Sequence, residues 1–200
     1  MSSTSAPSGR RERNKQEKLE RITRAASDLF AQHGVDDVTT QQIAEAADIG
    51  AGTLFLYAKT KGELLLLAQN DNYARSLERG RVDAAEAATT LDAVLAVVTP
   101  IVECNRAQVE NGRTYLREMV FGDPAEPHHA EALSIVARTE ALIAELIADR
   151  SGVEAAQAAT LAHVVSAVQL VAMASAVDEA TTVAEVVATI RAQLEVVLPR

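Results

Sequence analysis

The chain of 200 residues has the length of one or two domains, and its composition excludes several classes of protein. The hydrophobic share of 48% is enough for a core, while aromatic residues make up only 3%, so Ala, Leu and Val dominate, as in packed helices. The single cysteine, Cys104, excludes an internal disulfide framework. No apolar run follows the N-terminal charges, and no apolar stretch is isolated enough for a membrane span. We therefore expect a cytoplasmic protein without membrane contact.

The net charge of −9 is distributed unevenly along the chain. Residues 1–63 contain nine basic and nine acidic side chains, whereas residues 64–200 contain ten basic and nineteen acidic ones. The first 24 residues alone have seven bases and three acids. A basic N-terminal end on an acidic protein is the asymmetry expected when only that end contacts phosphate.

In chain order, residues 1–12 form a Ser- and Pro-rich basic tail that we predict to be disordered. Residues 13–32 place apolar side chains on one helical face. Gly34 then stands where a C-cap glycine is expected. The sequence therefore predicts a first helix over residues 13–32.

The segment 38–65 is the most informative part of the chain. Thr39 can cap a short helix, and Gln42, three residues later, completes a capping box. Asp48-Ile49-Gly50 has the length of a helix-turn-helix corner, and residues 51–58 resume the helix. Small residues at the start of this second helix allow its backbone to approach another surface. A helix presented in this way fits the DNA major groove.

The remaining helices are predicted from apolar periodicity and caps over residues 61–87, 90–111, 113–121, 129–150, 154–177 and 183–197. The fold class is therefore all-α with about nine helices. The sequence divides into the tail, a helix-turn-helix DNA-binding domain over residues 13–60, and a C-terminal helical domain over residues 61–200.

The motif resembles the N-terminal signature of the TetR-like (tetracycline repressor family) transcriptional regulators. The residues that carry the resemblance are Thr39, Thr40, Ile43, Ala44, Ala47, Gly52, Thr53, Leu54, Phe55, Tyr57, Lys61, Leu64 and Leu65. It implies a homodimer with an N-terminal DNA-binding head. It also implies that residues 61–200 bind a small-molecule effector, which releases a palindromic operator in double-stranded DNA.

The resemblance also implies individual DNA contacts. Thr40, Gln42, Tyr57 and Lys61 would contact phosphate, whereas Ala51, Thr53 and Leu56 would face the groove. Three positions depart from the family pattern. Phe55 replaces a usual Tyr, Ala58 replaces a usual core Phe, and Asp48 occupies a left-handed turn position where Gly is common. From burial of one helical face alone, Leu54 and Phe55 are expected in the core.

Candidates for the effector pocket are polar, aromatic or sulfur-containing residues on otherwise apolar helices. They are Tyr73, Arg106, Tyr115, Met119, Phe121, Gln169 and Met173. The two C-terminal helices are rich in Ala and Val, and their apolar stripes predict a four-helix dimer interface. The predicted interface residues are Ala158, Leu161, Ala162, Val165, Val168, Ala172, Val187, Ile190 and Leu194.

Other functions are less well supported. The adjacent pair His128-His129 lacks the spacing of metal ligands, and we expect neither a metal nor a cofactor. Nucleophile elbows, zinc-protease motifs and phosphate-binding loops are all missing from the sequence, so an enzyme is a remote alternative. A transcriptional activator and an architectural DNA-binding protein without effector remain alternatives. An architectural protein would bind DNA with similar strength regardless of sequence.

Overall fold

The computed structural model describes residues 9–199, and within that range the chain forms nine helices and no strand. The helices are α1 (Arg10–His33), α2 (Thr40–Ala46), α3 (Ala51–Leu54), α4 (Lys61–Ala84), α5 (Thr90–Arg106), α6 (Val109–Phe121), α7 (Pro127–Ser151), α8 (Ala155–Ser175) and α9 (Val183–Val197). The all-α prediction is confirmed. The predicted disordered tail lies outside the described residues up to residue 8, and from Arg10 onward it is helical instead.

The helix ends follow from local side-chain chemistry. Thr39 and Gln42 form the predicted capping box at the start of α2, and Thr182 forms a second one with Glu185 at the start of α9. The α5 helix is capped by Thr89 rather than by its first residue Thr90. Gly34 ends α1 with a positive φ of 78°, which glycine adopts without the steric penalty of a Cβ.

The first three helices pack on the start of α4 around a single apolar cluster. Ile22, Phe30, Ile43, Leu54 and Leu64 are all fully buried there. The same cluster continues along α4 and reaches aromatic side chains of the C-terminal domain. The head and the C-terminal domain thus share packed side chains across residue 61.

The C-terminal domain is a bundle in which α4 packs on α5 and α7, and α8 packs on α7 and α9. The crossing of α4 and α5 is close because Gly80 lacks a side chain. A Cβ at this position would lie 2.7 Å from the Cα of Val97. The apolar inner faces of α5, α7, α8 and α9 form the second core cluster.

Most of the side chains predicted for the dimer interface lie inside their own chain. Ala158, Ala162, Val165, Ala172, Ile190 and Leu194 are buried inside their own chain. The reason is that the most apolar stripes of α8 and α9 pack on α5, α7 and each other. Leu161, Val168 and Val187 are half-buried at the edge of the same cluster. The residues left exposed on these helices include alanines of both helices, Val171 on α8 and Val196 on α9, beside polar and charged side chains.

By length and composition alone, α8 could also cross a membrane. A core helix of a soluble protein meets the same criterion, and α8 packs within the helical bundle. Only 28% of its most apolar window is buried within the chain, which leaves much apolar surface on its outer face.

Candidate DNA-binding surface and effector cavity

The corner between α2 and α3 has the geometry of a helix-turn-helix. Asp48 adopts a positive φ of 52°, as expected for a position where glycine is common. The amide of Ile49 donates to the carbonyl of Ala44 at 3.0 Å, which closes the turn. On the outside, the guanidinium of Arg21 lies 3.4 Å from the Asp48 carboxylate and links α1 to the corner.

The helix that would enter the groove is shorter than predicted. Regular α-helix covers only Ala51–Leu54, and the chain continues to Ala58 in tight turns instead of the predicted helix to residue 58. The amides of Leu56 and Tyr57 donate to carbonyls three residues earlier, a pattern that is common at the ends of short helices. We call residues 51–57 the recognition segment.

The recognition segment presents one side to solvent. Leu56 is 82% exposed, and Ala51 and Thr53 are half-buried beside it. Leu54 is fully buried, as expected, but Phe55 is 46% exposed, so its assignment to the core was wrong. An exposed leucine and phenylalanine on one short segment form an apolar edge that water does not favour.

The four predicted phosphate contacts lie around this segment. Thr40 is the first residue of α2. The side-chain oxygen of Gln42 accepts from the Thr39 backbone amide at 2.8 Å, so only the side-chain N–H groups of Gln42 remain available to a ligand. The hydroxyl of Tyr57 donates to the Lys15 carbonyl at 3.5 Å, and the Lys61 ammonium donates to the Asp36 carbonyl at 3.2 Å. These long contacts to carbonyls can be exchanged for contacts to phosphate at modest cost.

A cavity of about 350 Å³ lies in the C-terminal domain between α4, α5, α6, α7 and α8. Its wall contains five of the seven predicted pocket residues, namely Tyr73, Tyr115, Met119, Gln169 and Met173. The rings of Tyr73 and Tyr115 stack with centroids 4.1 Å apart. Burial raises the pKa of Tyr73 well above its usual range and raises the pKa of Tyr115 as well, so both hydroxyls stay protonated.

The other two predicted pocket residues lie elsewhere. The guanidinium of Arg106 donates to the carbonyls of Ala176 (2.8 Å) and Asp178 (3.0 Å), where it binds the C-terminal end of α8. Phe121 is 82% exposed at the end of α6. Neither residue lines this cavity, because sequence periodicity does not indicate which face of α5 or α6 meets α8.

Sequence reasoning missed the residues of α7 in the cavity wall, among them Ile135, Thr139 and Glu140. Ile135 and Thr139 have the spacing of one helical face, which was the available signal. His163 of α8 also lines the cavity, and its side chain is exposed to solvent. Its Nδ1 is 3.0 Å from the Glu140 carboxylate.

A continuous chain of hydrogen bonds leads from the cavity wall to the recognition segment. The Tyr115 hydroxyl donates to the Asn70 side-chain oxygen at 2.8 Å, and the Asn70 amide donates to the His128 carbonyl at 2.9 Å. The Nε2 of His128 then donates to the Tyr57 carbonyl at 2.9 Å. We refer to these four residues as the Tyr115–Tyr57 chain.

The Tyr115–Tyr57 chain lies within a polar junction between the head and the loop before α7. Lys59 forms an ion pair with Glu126, and His129 donates from Nε2 to the Met119 carbonyl at 3.0 Å. Glu63 is buried there, and desolvation raises its pKa. One Glu63 oxygen and the Nδ1 of His129 have no hydrogen-bond partner among the described residues.

The exposed recognition segment and the cavity define a helix-turn-helix protein with an internal cavity in its C-terminal helices. Residues 22–68 match the family model of the bacterial regulatory proteins, tetR family. Comparison with curated proteins gives no match.

Solved structures give the same fold over nearly the whole chain. A TetR transcriptional regulator from Rhodococcus sp. RHA1 has a TM-score of 0.68 at 16% identity and covers 92% of this chain and 97% of its own. FadR of Thermus thermophilus, a TetR-family repressor in complex with lauroyl-CoA, has a TM-score of 0.66 at 22% identity, with 91% and 96% covered. FadR of Bacillus subtilis, in complex with stearoyl-CoA, has a TM-score of 0.64 at 16% identity, with 90% and 97% covered. Residues 22–68 thus match the N-terminal domain of the tetR family, and the chain as a whole has the fold of these solved regulators.

Proposed function

We propose that the protein is a ligand-responsive repressor that leaves a palindromic DNA operator when a small molecule occupies its cavity. The observation that carries this proposal is the Tyr115–Tyr57 chain, which joins the cavity wall to the recognition segment. The regulator acts in the cytoplasm and needs no cofactor. Two structural neighbours have acyl-CoA bound, which supports a small-molecule effector in this fold.

The recognition segment would enter the major groove with Leu56 leading. Ala51 and Thr53 lie beside it and would contact base edges, and Leu56 suits the methyl group of thymine. Thr40, Gln42, Tyr57 and Lys61 would bind phosphate and fix the orientation of the head on the duplex. The exposed bases of α1, such as Arg13 and Lys18, would add attraction that is independent of sequence.

A homodimer would form through the outer faces of α8 and α9. On α9, Ala184, Ala188, Ala192 and Val196 are exposed at four-residue spacing and form one stripe. On α8, the exposed Val171 and its neighbouring alanines form a second apolar surface. Packing both helices against their symmetry mates buries these surfaces in a four-helix bundle, since small side chains permit close helix approach. The two heads would then contact successive major grooves, about 34–36 Å apart or a multiple of this distance.

Occupation of the cavity would change the preferred position of the heads. Tyr115 and Met119 of α6 line the cavity, and Met119 also accepts a hydrogen bond from His129 through its carbonyl. A ligand that favours a different position of α6 therefore acts on the start of α7, and through His128 on the recognition segment. Coupling of about 1–3 kcal/mol, which is typical of allosteric proteins, would weaken operator binding several-fold to a hundredfold.

Selection from a pool of random duplexes tests the DNA-binding part of this proposal. We expect the full-length protein to enrich one palindromic sequence and to bind it about a thousandfold more tightly than unselected duplex at the same salt concentration. Equal affinity for selected and unselected duplexes would instead indicate an architectural DNA-binding protein.

A further inference from the structure

We propose that the effector is an uncharged, predominantly hydrocarbon molecule with one hydroxyl- or amide-type group, which hydrogen-bonds to the side chain of Gln169. This inference rests on the proposed ligand-responsive function and adds the chemical class of the ligand. Three properties of the cavity support it, namely its apolar wall, one buried amide without a partner, and the lack of an available cation.

The wall of the cavity is mainly hydrocarbon. Ile101, Leu116, Ile135, Leu170 and Met173 contribute side chains from four helices. The volume of about 350 Å³ falls in the lower part of the range known for small-molecule sites. Such a wall favours the transfer of an apolar ligand from water, because binding removes apolar surface of both partners from solvent.

Gln169 is the most buried polar side chain in this wall for which the described residues provide no hydrogen-bond partner. Its side chain lines the cavity, the residue is only 5% exposed, and it forms no hydrogen bond to any described residue. The polar atoms of this amide are not fully enclosed and reach the space of the cavity, so a ligand that pairs with them gains affinity and specificity. An amide offers both a donor and an acceptor, which a ligand hydroxyl or amide can match.

Tyr73 offers a second donor in the same wall. Its hydroxyl oxygen accepts from the Asn105 amide at 3.0 Å, and its own proton has no acceptor among the described residues. The hydroxyl of Thr139 already donates to the Ile135 carbonyl at 2.9 Å, so it can only accept from a ligand. The cavity therefore offers both a hydrogen-bond donor and an acceptor to a polar group of the ligand.

The charges around the cavity disfavour an ionised ligand. Its lining contains no lysine or arginine. Apart from the tyrosines, its titratable side chains are Glu140 and His163, and the Glu140 Oε1 lies 3.0 Å from the His163 Nδ1. Arg106, which is outside the lining, is bound to backbone carbonyls, and Arg138 lies 3.9 Å from Glu131. A fatty-acid carboxylate or the phosphates of an acyl-CoA would thus meet Glu140 without a compensating cation, which is costly in an apolar site.

The test compares ligands of one alkyl chain and different charge: 1-octanol, octanoate, octylamine and octanoyl-CoA. The protein contains no tryptophan, and two of its three tyrosines line the cavity, so tyrosine fluorescence reports on occupancy directly. We expect 1-octanol to quench or shift this emission with saturation, and the three charged compounds to bind about a hundredfold more weakly. Tighter binding of octanoate, octylamine or octanoyl-CoA, or no saturable binding of any probe, would overturn the proposal.

The variant Gln169→Leu tests the hydrogen bond. It keeps the approximate size of the side chain and should weaken 1-octanol binding roughly fivefold, as expected for one lost hydrogen bond. The matched control is Gln32→Leu, at an exposed position of α1 outside the cavity, which should bind 1-octanol as the unmodified protein does. Circular dichroism checks that both variants are folded. Unchanged or tighter binding in Gln169→Leu would remove Gln169 from the site.

Failure of this inference is separable from failure of the proposed function. Saturable binding of 1-octanol without any change in affinity for the selected duplex would leave the ligand class intact and contradict ligand-controlled DNA binding. Release of the duplex by octanoate or octanoyl-CoA, but not by 1-octanol, would leave the regulator intact and contradict the ligand class.

Discussion

The Nε2 atom of His128 lies 2.9 Å from the backbone carbonyl of Tyr57, and this contact ties the start of α7 to the end of the recognition segment. The carbonyl of the same histidine accepts a hydrogen bond from Asn70 on α4. His128 thus connects three parts of the molecule that are distant in sequence. Coupling through such a chain requires that its bonds differ between the DNA-bound and released positions of the head.

Loss of the Tyr115 hydroxyl should loosen the recognition segment while the fold is retained. Tyr115→Phe removes the donor to Asn70, so the Asn70 amide is no longer fixed toward His128. We expect faster hydrogen exchange of the Tyr57 and Ala58 amides, both of which donate to the Leu54 carbonyl, and about 1 kcal/mol lower free energy of unfolding.

Tyr73→Phe is the matched control for this experiment. It removes a hydroxyl from the same stacked pair, but that hydroxyl is bonded to Asn105 and not to the Tyr115–Tyr57 chain. Its exchange rates at Tyr57 and Ala58 should stay close to those of the unmodified protein. Equally faster hydrogen exchange in both variants would mean that the head moves through a general loss of packing rather than through the Tyr115–Tyr57 chain.

Two neighbouring leucines should separate DNA recognition from stability. Leu56→Ala alters a side chain that is 82% exposed, so the free energy of unfolding should change by no more than about 0.5 kcal/mol, while affinity for the selected operator falls. Leu54→Ala opens a cavity at a fully buried position and should cost about 2–5 kcal/mol of stability. Denaturant unfolding and fluorescence anisotropy measure the two effects. Unchanged operator affinity in Leu56→Ala would place the groove contact elsewhere.

Removal of the Lys61 ammonium should weaken binding to all duplexes alike. Lys61→Ala should lower the salt dependence of binding by about one unit of slope, with no change in the selected sequence. Arg191→Ala is the matched control, because it also removes one positive charge but at a position on α9, where Arg191 pairs with Asp92. If Lys61→Ala altered the preferred operator but left the slope unchanged, its role would be base recognition.

The location of the dimer interface can be tested with two double variants. Val171→Glu with Val196→Glu alters exposed side chains on the outer faces of α8 and α9, so folded monomers that lose operator affinity are expected. Ala162→Glu with Leu194→Glu places two carboxylates at fully buried positions and should unfold the chain. Sedimentation velocity and circular dichroism distinguish these outcomes. An intact dimer in the first variant would exclude the outer faces as the interface.

Glu63 should make the protein less stable as the pH rises. Burial raises the pKa of its carboxyl in the folded state, so folding favours the protonated form. The stabilisation from this group is complete below the unfolded pKa of about 4.5 and is lost as the pH rises through the folded pKa. Glu63→Gln should therefore increase the free energy of unfolding at neutral pH, with a difference that shrinks in acid.

Glu185→Gln provides the opposite case for comparison. Hydrogen bonds from Thr182 lower the pKa of the Glu185 carboxyl, so its contribution is present at neutral pH and is lost on acidification. This variant should be less stable than the unmodified protein at neutral pH and similar to it in acid. A Glu63→Gln variant that behaves in the same way would show that the Glu63 carboxylate stabilises the junction.

The helix-turn-helix was predictable because its signals are local. Thr39 and Gln42 form the capping box by contacts three residues apart, and Asp48 adopts the backbone conformation expected at its turn position. Helix periodicity likewise located the elements of the C-terminal domain. Five of the predicted pocket residues line one cavity, and they were selected because polar or aromatic groups on apolar helices are infrequent.

The remaining features depend on contacts between distant parts of the chain. Arg106 reaches the end of α8 some 70 residues away in sequence, and His128 reaches Tyr57 from 71 residues away. No periodicity in the sequence indicates such partners. The burial of the predicted interface residues has a related cause, since the most apolar faces of α8 and α9 pack within the chain.

The reciprocal effect of ligand and DNA tests the central claim most directly, because both affinities belong to one thermodynamic cycle. The affinity of the full-length protein for its selected duplex is measured by anisotropy with and without saturating 1-octanol, and the affinity for 1-octanol is measured with and without saturating duplex. We expect both affinities to fall by the same factor, between about five and a hundred, and this factor to approach one in Tyr115→Phe but not in Tyr73→Phe. Equal duplex affinity with an empty and an occupied cavity would contradict the coupling of the cavity to the DNA-binding head.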